Sequence, residues 1–283
     1  MDIKNHNMNK EKPIMRKRFR IIAFLAFFFG IVMAVSQYFE FVSKTVYEES
    51  VSHLTEVFHQ SDNMLGELTH KNLMYLHMWS EYLQDAPSES KIRDYIDKAQ
   101  KDAGFLYFYF LSADGNYKMT TGETGYLGLQ ENTEDEIQKG NDIITNAAVP
   151  GKSQMLVFAS PKAHGSYQGF KYDAIAIAYE NADIVNVLDI SAFNGKAKSY
   201  VLHPDGRVVI DHSLESWGNV YNFFGILREH TDISEKEILE ISKKFKEGHT
   251  GAMLLNLDGK DYYLVYEKSD IQDWVFLGLV QAD

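Results

Sequence analysis

IIAFLAFFFGIVMAVSQYF, residues 21–39, contains no charged side chain, and the helical pattern it opens does not stop at its end. Phe39, Val42 and Val46, then Leu54, Val57 and Phe58, then Leu65 and Leu68, then Leu76, Trp79 and Leu83 recur at steps of three and four, an apolar stripe along a helix. No proline lies between Pro13 and Pro87, and only Gly30 and Gly66 weaken the helix. Residues 21–39 are long and apolar enough to cross a bilayer, and residues 40–84 continue as a stalk. From Phe39 to Leu83 that stalk is about 65 Å long at 1.5 Å per residue. A cleaved secretory leader competes with this reading, since Lys17 and Arg18 suit its basic start and Ala34-Val35-Ser36 its cleavage site. The run is longer than a leader's apolar region, and the helical pattern passes through the would-be cut. Both features favour an uncleaved anchor.

Charge sets the orientation. Residues 1–20 hold seven Lys and Arg against two Asp and Glu, a net of +5, whereas the whole chain is at −12 and the remainder therefore at −17. The positive-inside bias places residues 1–20 in the cytoplasm and everything after Phe39 outside a bacterial cell membrane. An exterior this acidic argues against a nucleic-acid partner and leans towards neutral or cationic ligands. The absence of cysteine fits an extracytoplasmic setting and removes disulfides, thiolate metal sites and a Cys nucleophile.

After the stalk, Ala86-Pro87-Ser88 breaks the helix, and a short helix with Ile92, Tyr95, Ile96 and Ala99 on one face runs to Gly104. The period then changes to that of strands. Residues 105–111 and 117–121 flank an Ala113-Asp114-Gly115-Asn116 turn. Thr133 to Glu136 has capping-box spacing and opens a helix that Gly140 closes. Residues 143–147, 154–159 and 172–179 read as three more strands, the first two joined across Pro150-Gly151, and residues 181–188 as a linking helix. From Lys198 the plan repeats. Tyr109-Phe110-Leu111-Ser112-Ala113-Asp114-Gly115 matches Tyr200-Val201-Leu202-His203-Pro204-Asp205-Gly206 at four of seven positions. A strand over 207–211 follows, then helical sequence with a capping box at Ser234-Glu235-Lys236-Glu237. Strands over 252–257, 261–266 and 274–280 close the chain. The fold class is α+β: two antiparallel-sheet modules, residues 85–190 and 191–283, carried on one N-terminal helix.

A basic N-terminus, a membrane helix running into a stalk and two successive sheets resemble the double Cache family of PAS-like extracytoplasmic sensors. Asn194-Gly195-Lys196 through Tyr200 to Gly206-Arg207-Val208-Val209 is similar to the opening of that family's membrane-proximal module, and Trp274 to Val280 to its closing strand. The resemblance implies a small ligand in the distal module, a homodimer formed through the stalk, and a second membrane helix beyond residue 283. Beyond that helix it implies an output such as a histidine kinase, diguanylate cyclase or chemoreceptor signalling domain. A tethered binding or adaptor protein without its own output is the alternative. The family's amino-acid-binding version carries an Arg-x-Trp-Tyr element ahead of these strands. Asn146-Ala147-Ala148-Val149 and Gln154-Met155-Leu156 occupy that region here, which puts amino-acid binding in doubt.

No enzyme site is expected. Gly151-Lys152-Ser153 lacks the first glycine and the following helix of a phosphate loop. Gly122-Glu123-Thr124-Gly125 reads as a flexible loop. Asp211-His212-Ser213 are adjacent, and adjacent residues cannot supply a triad's geometry. The stalk histidines His53, His59, His70 and His77 include no i,i+4 pair suited to zinc and read as solvated or interfacial. No metal or cofactor is expected. For the ligand, alternation over 173–179 puts Asp173, Ile175, Ile177 and Tyr179 on one strand face and Ala174, Ala176 and Ala178 on the other. The alanine face suits packing against the stalk, so Asp173 and Tyr179 are expected to line the pocket. Tyr109, Lys118, Ser160, Lys162 and His164 join them from neighbouring strands and the loop over 160–170.

Overall fold

The computed structural model describes residues 8–85, 88–129, 133–147, 154–188, 197–212 and 222–282. The expected turn at Pro150-Gly151, the Gly151-Lys152-Ser153 stretch, Asn194-Gly195-Lys196 and Ser213 lie outside the described residues. The chain divides into two compact units, Met1–Ser50 and Val51–Asp283.

Helix α1 is unbroken from Met8 to Asp85, and among the described residues it is the one helix long and apolar enough to cross a membrane. In the first unit Phe24, Leu25, Phe27, Phe28, Phe29 and Ile31 are all exposed, an apolar surface of the kind that lipid covers.

In the second unit the stripe read from sequence is the buried one. Leu54, Phe58, Leu65, Leu76, Trp79 and Leu83 are buried on α1, and Met64, Met74 and Met78 are exposed. Helix α2 (Glu89–Ala103) follows and ends at Gly104, whose φ of 78° lets its N–H bond back to the Gln100 carbonyl at 2.9 Å. The Tyr95 ring of α2 stacks on Tyr82 of α1 with centroids 3.9 Å apart.

The first sheet comprises β1 (Tyr107–Leu111), β2 (Asn116–Lys118), β3 (Thr124–Tyr126), β4 (Ile143–Ala147), β5 (Met155–Ser160) and β8 (Ala174–Glu180). Its strand order is β3-β2-β1-β8-β5-β4. Helix α3 (Thr133–Lys139) lies between β3 and β4 in sequence, and a small hairpin of β6 (Gly165–Tyr167) and β7 (Phe170–Tyr172) between β5 and β8. Two expectations are corrected here. Residues 122–125 are not a loop throughout, because Thr124 and Gly125 enter β3. Gly125 is required there, since a Cβ would stand 2.6 Å from the Tyr117 hydroxyl that crosses it. Tyr172 belongs to the hairpin, and the long strand begins at Ala174.

Helix α4 (Asn181–Leu188) leads to the second sheet. That sheet holds β9 (Lys198–Leu202), β10 (Val208–His212), β11 (Gly251–Leu257), β12 (Lys260–Lys268) and β13 (Val275–Gln281) in the order β10-β9-β13-β12-β11. Helices α5 (Phe223–His230) and α6 (Glu235–Lys246) cover one face. The capping box at Ser234 and Glu237 is formed in both directions. With β3 and the small hairpin set aside, both sheets have one topology, in which first and last strands are central neighbours.

The two Asp-Gly turns are equivalent in detail. Gly115 and Gly206 have φ of 86° and 85°, a conformation that favours glycine. Gly115 N–H donates to Ser112 O at 3.0 Å, and Gly206 N–H to His203 O at 2.8 Å. Each glycine carbonyl then accepts from a residue further along the chain, from Leu127 N at 2.9 Å and Phe223 N at 2.8 Å.

Two asparagines join the modules. The Asn181 side chain accepts from Asp211 N at 3.0 Å and donates to Asp211 O at 2.7 Å, in the manner of a paired strand residue. Asn146 Nδ2 donates to Val208 O at 3.1 Å.

Candidate functional site in the distal sheet

Strand β8 is central in the first sheet, so each of its faces meets a different layer. Ile175, Ile177 and Tyr179 share a core with Leu65, Leu76, Trp79 and Leu83 of α1, together with Phe108 and Phe110 of β1. Ala174, Ala176 and Ala178 belong to the opposite core, with Tyr109, Tyr117, Leu127, Ile137 of α3, Met155 and Val157. The expected assignment of faces is therefore reversed. The small residues look away from the stalk, and Tyr179 looks at it.

Tyr179 Oη donates to Asn72 Oδ1 of α1 at 2.8 Å. Burial pushes its hydroxyl pKa up to about 12, with the Asn72 hydrogen bond opposing the rise. Asn72 is wholly buried and its Nδ2 has no hydrogen-bond partner among the described residues. Tyr179 is thus an anchor between sheet and stalk.

Asp173, expected beside Tyr179 in the pocket, is exposed. It clips the start of β8 to the β1–β2 turn, its Oδ2 accepting from Ala113 N at 2.8 Å and its N–H donating to Leu111 O at 2.9 Å. It also lines an open depression of about 920 Å³ with Asp114, Tyr117, Tyr126, Glu134 and Phe170.

The remaining expected residues do not converge. Lys118 Nζ donates to Gln168 O at 3.0 Å, Lys162 Nζ meets His77 Nδ1 of α1 at 3.2 Å, and His164 is exposed. Ser160 is fully buried at the end of β5, and its hydroxyl has no hydrogen-bond partner among the described residues.

Tyr109 alone of the seven lies in the core of the alanine face. It is 0% exposed and centred in a tyrosine cluster, 5.9 Å from the Tyr107 ring and edge-on to Tyr117 at 4.7 Å. Among the described residues its hydroxyl donates to the Met155 sulfur, at 3.9 Å, a weak acceptor for a buried O–H. Burial raises its pKa far above the usual tyrosine value, and Tyr117, Tyr107 and Glu123 add to the rise. Tyr117 and Glu123 carried no signal in the sequence that set them apart from the chain's other tyrosines and carboxylates.

No family model matches the chain, and no curated protein matches it. Among solved structures it is similar to the ligand-binding domain of the Pseudomonas aeruginosa PAO1 amino acid chemoreceptor PctB in complex with L-Arg, at 14% identity. That match covers 83% of this chain and 96% of the other, with a TM-score of 0.54. The extracellular domain of mmHK1S-Z2, assigned as a histidine kinase, matches at 15% identity over 83% of this chain and 97% of its own, with a TM-score of 0.54. PctC of the same Pseudomonas strain, in complex with GABA, matches at 14% identity over 82% and 99%, with a TM-score of 0.53. These neighbours are ligand-binding sensor domains of chemoreceptors and histidine kinases. At such identities the likeness establishes the fold, and it is the fold that the double Cache resemblance implied.

Proposed function

We propose that this chain is the extracytoplasmic sensory input region of a bacterial membrane receptor, anchored by α1, with a small ligand bound in the module over residues 85–190. The observation that carries the reading is the Tyr109 hydroxyl, buried on the sheet face away from the stalk with, among the described residues, a thioether to accept its proton. A ligand oxygen or nitrogen reaching it would replace a weak hydrogen bond by a strong one. The alanines of β8 are the small side chains packed on that face, and β8 presents Tyr179 to α1 from its other side. One strand thereby joins ligand face and stalk.

The ligand class follows from what surrounds that face. Tyrosine rings and Glu123 suit a neutral or cationic molecule, as does the acidic exterior. In the region where the amino-acid-binding pattern has its Arg-x-Trp-Tyr element, Asn146 uses its amide on the Val208 carbonyl. The exposed Met64, Met74 and Met78 on α1 suit a homodimer through the stalk. A histidine kinase output fits the neighbour mmHK1S-Z2; a diguanylate cyclase remains within the same reading, and a tethered adaptor is the second.

A thermal-shift panel of L-arginine, GABA, simple primary amines and neutral polyols on the full chain in detergent tests the site. A compound that raises Tm in the wild type and not in Tyr109→Phe supports it. Stabilisation kept in Tyr109→Phe and lost in Asp173→Asn would move the site to the open depression and overturn it.

A further inference from the structure

Two stalk histidines without a metal-like partner on their own helix each meet a carboxylate from a different module. His77 Nε2 lies 2.7 Å from Asp142 Oδ2, at the entry to β4. His59 Nε2 lies 3.3 Å from Glu267 Oε1, near the end of β12. The histidines are separated by 77 − 59 = 18 residues, about five turns at 3.6 residues per turn, so they fall on one line of the helix. In both pairs the second carboxylate oxygen, Asp142 Oδ1 and Glu267 Oε2, is buried with no hydrogen-bond partner among the described residues. We propose that these pairs are twin latches that dock α1 onto the two sheets, and that proton uptake in mild acid tightens both.

The physical argument is the same at each end. A part-buried carboxylate whose inner oxygen is unpartnered is poorly compensated by a neutral imidazole N–H, and an imidazolium compensates it better. Histidine is the side chain whose ordinary titration falls within the physiological range. At the distal latch the groups facing His77 are Asp142 and Lys162, and the Lys162 ammonium against Nδ1 at 3.2 Å requires that nitrogen to be an acceptor. Protonation of His77 therefore expels the Lys162 side chain while strengthening the bond to Asp142.

At the proximal latch His59 shares a cavity of about 50 Å³ with Asp62, Glu267, Lys268, Asp270, Phe58 and Phe276. Asp62 of α1 is already committed, accepting from Ser269 Oγ and from Asp270 N at 2.8 Å. Burial pushes the Glu267 carboxyl above the usual carboxylate range. His59 pulls it back, and Asp62 and Asp270 add to the rise. A carboxyl raised in the folded state contributes stability that is fully present below its unfolded value and is lost as pH climbs through the raised one. One proton taken up by the pair stabilises it on either partner, on His59 by pairing the carboxylate with an imidazolium and on Glu267 by removing the part-buried charge.

The test is the melting temperature of the full chain in detergent between pH 7.5 and 5.5, for wild type, His77→Gln, Glu267→Gln, the double variant and Lys162→Met. Glutamine keeps a neutral N–H donor at residue 77 and a neutral acceptor at residue 267. The wild-type Tm rises on acidification, by about 2–4 °C at the His77 latch and by less at His59, whose side chain is 67% exposed. Each single variant loses its share, and the double variant is flat relative to wild type. Glu267→Gln starts higher than wild type at pH 7.5. Lys162→Met, which removes the ammonium opposing an imidazolium at residue 77, enlarges the His77 share of the rise. If His77→Gln fails to fold, Asp142→Asn reports the same latch. A flat wild-type profile, or a double variant that keeps the whole rise, overturns the proposal.

Discussion

Gly278 on β13 is a point of close approach between a sheet backbone and the stalk, and an added methyl group there gives a calculable conflict. An alanine Cβ would stand 2.9 Å from Leu54 Cδ2, 2.9 Å from Phe58 Cζ and 3.3 Å from Leu54 Cδ1. Neither neighbour has open space: Leu54 is 0% and Phe58 1% exposed, and Phe58 stacks on Phe276 with centroids 5.8 Å apart. Overpacking of this kind costs about 1–3 kcal/mol, and replacing a strand glycine returns about 0.5–1 kcal/mol. Gly278→Ala should therefore destabilise the protein by about 1–2 kcal/mol, a fall in Tm of about 3–6 °C at this size. Leu54→Ala alone should cost about 2–5 kcal/mol by opening a cavity. Truncating Leu54 removes two of the three conflicts, so the double variant should be more stable than the sum of the singles by about 1 kcal/mol or more. Thermal unfolding of the four proteins in detergent closes the cycle. Additivity within about 0.5 kcal/mol would refute the claim that α1 packs on Gly278.

Tyr179→Phe should lower stability by about 1–3 kcal/mol, because it leaves the buried Asn72 carboxamide without its donor; unchanged unfolding would deny the anchor. Asn222 caps α5 by accepting from Phe224 N at 2.9 Å and Gly225 N at 3.3 Å, so Asn222→Ala should cost about 1 kcal/mol in the same assay. Gly206→Ala should be worse than Gly115→Ala, since both are at positive φ but the Cβ at 206 would lie 2.5 Å from the Phe224 ring against 3.0 Å from Leu127 O at 115. Comparable losses would count against the packing of α5 on that turn. For orientation, cysteines at the exposed Ser88 and Lys236 should both react with an impermeant thiol reagent on intact cells; protection of both would reverse the topology.

Local signals carried most of the fold. The three- and four-residue recurrence gave the buried face of α1, and two Asp-Gly turns with matching flanks revealed two sheets of one topology. The site was less legible because its determinants are long-range. Alternation over 174–180 shows which residues share a face but not what each face meets. The small side chains suggested a helix neighbour, yet α1 accommodates Ile175, Ile177 and Tyr179 instead, and the close approach falls at Gly278 in the other sheet. His77 meets Asp142 across 65 residues of sequence, a pairing that no spacing rule on the helix itself encodes. Gly125 looked like loop chemistry, and its actual reason is the Tyr117 ring lying across it.

The central claim is that β8 links a ligand face to the stalk, and hydrogen exchange on the full chain in detergent addresses it directly. The comparison is made with and without the compound from the panel that raises Tm most. Binding should slow exchange in Tyr107–Leu111, Met155–Ser160 and Ala174–Glu180, and also in α1 around Asn72, where Tyr179 is anchored. Slowing confined to Gly251–Gln281, or slowing in the first sheet with α1 unchanged, would contradict it.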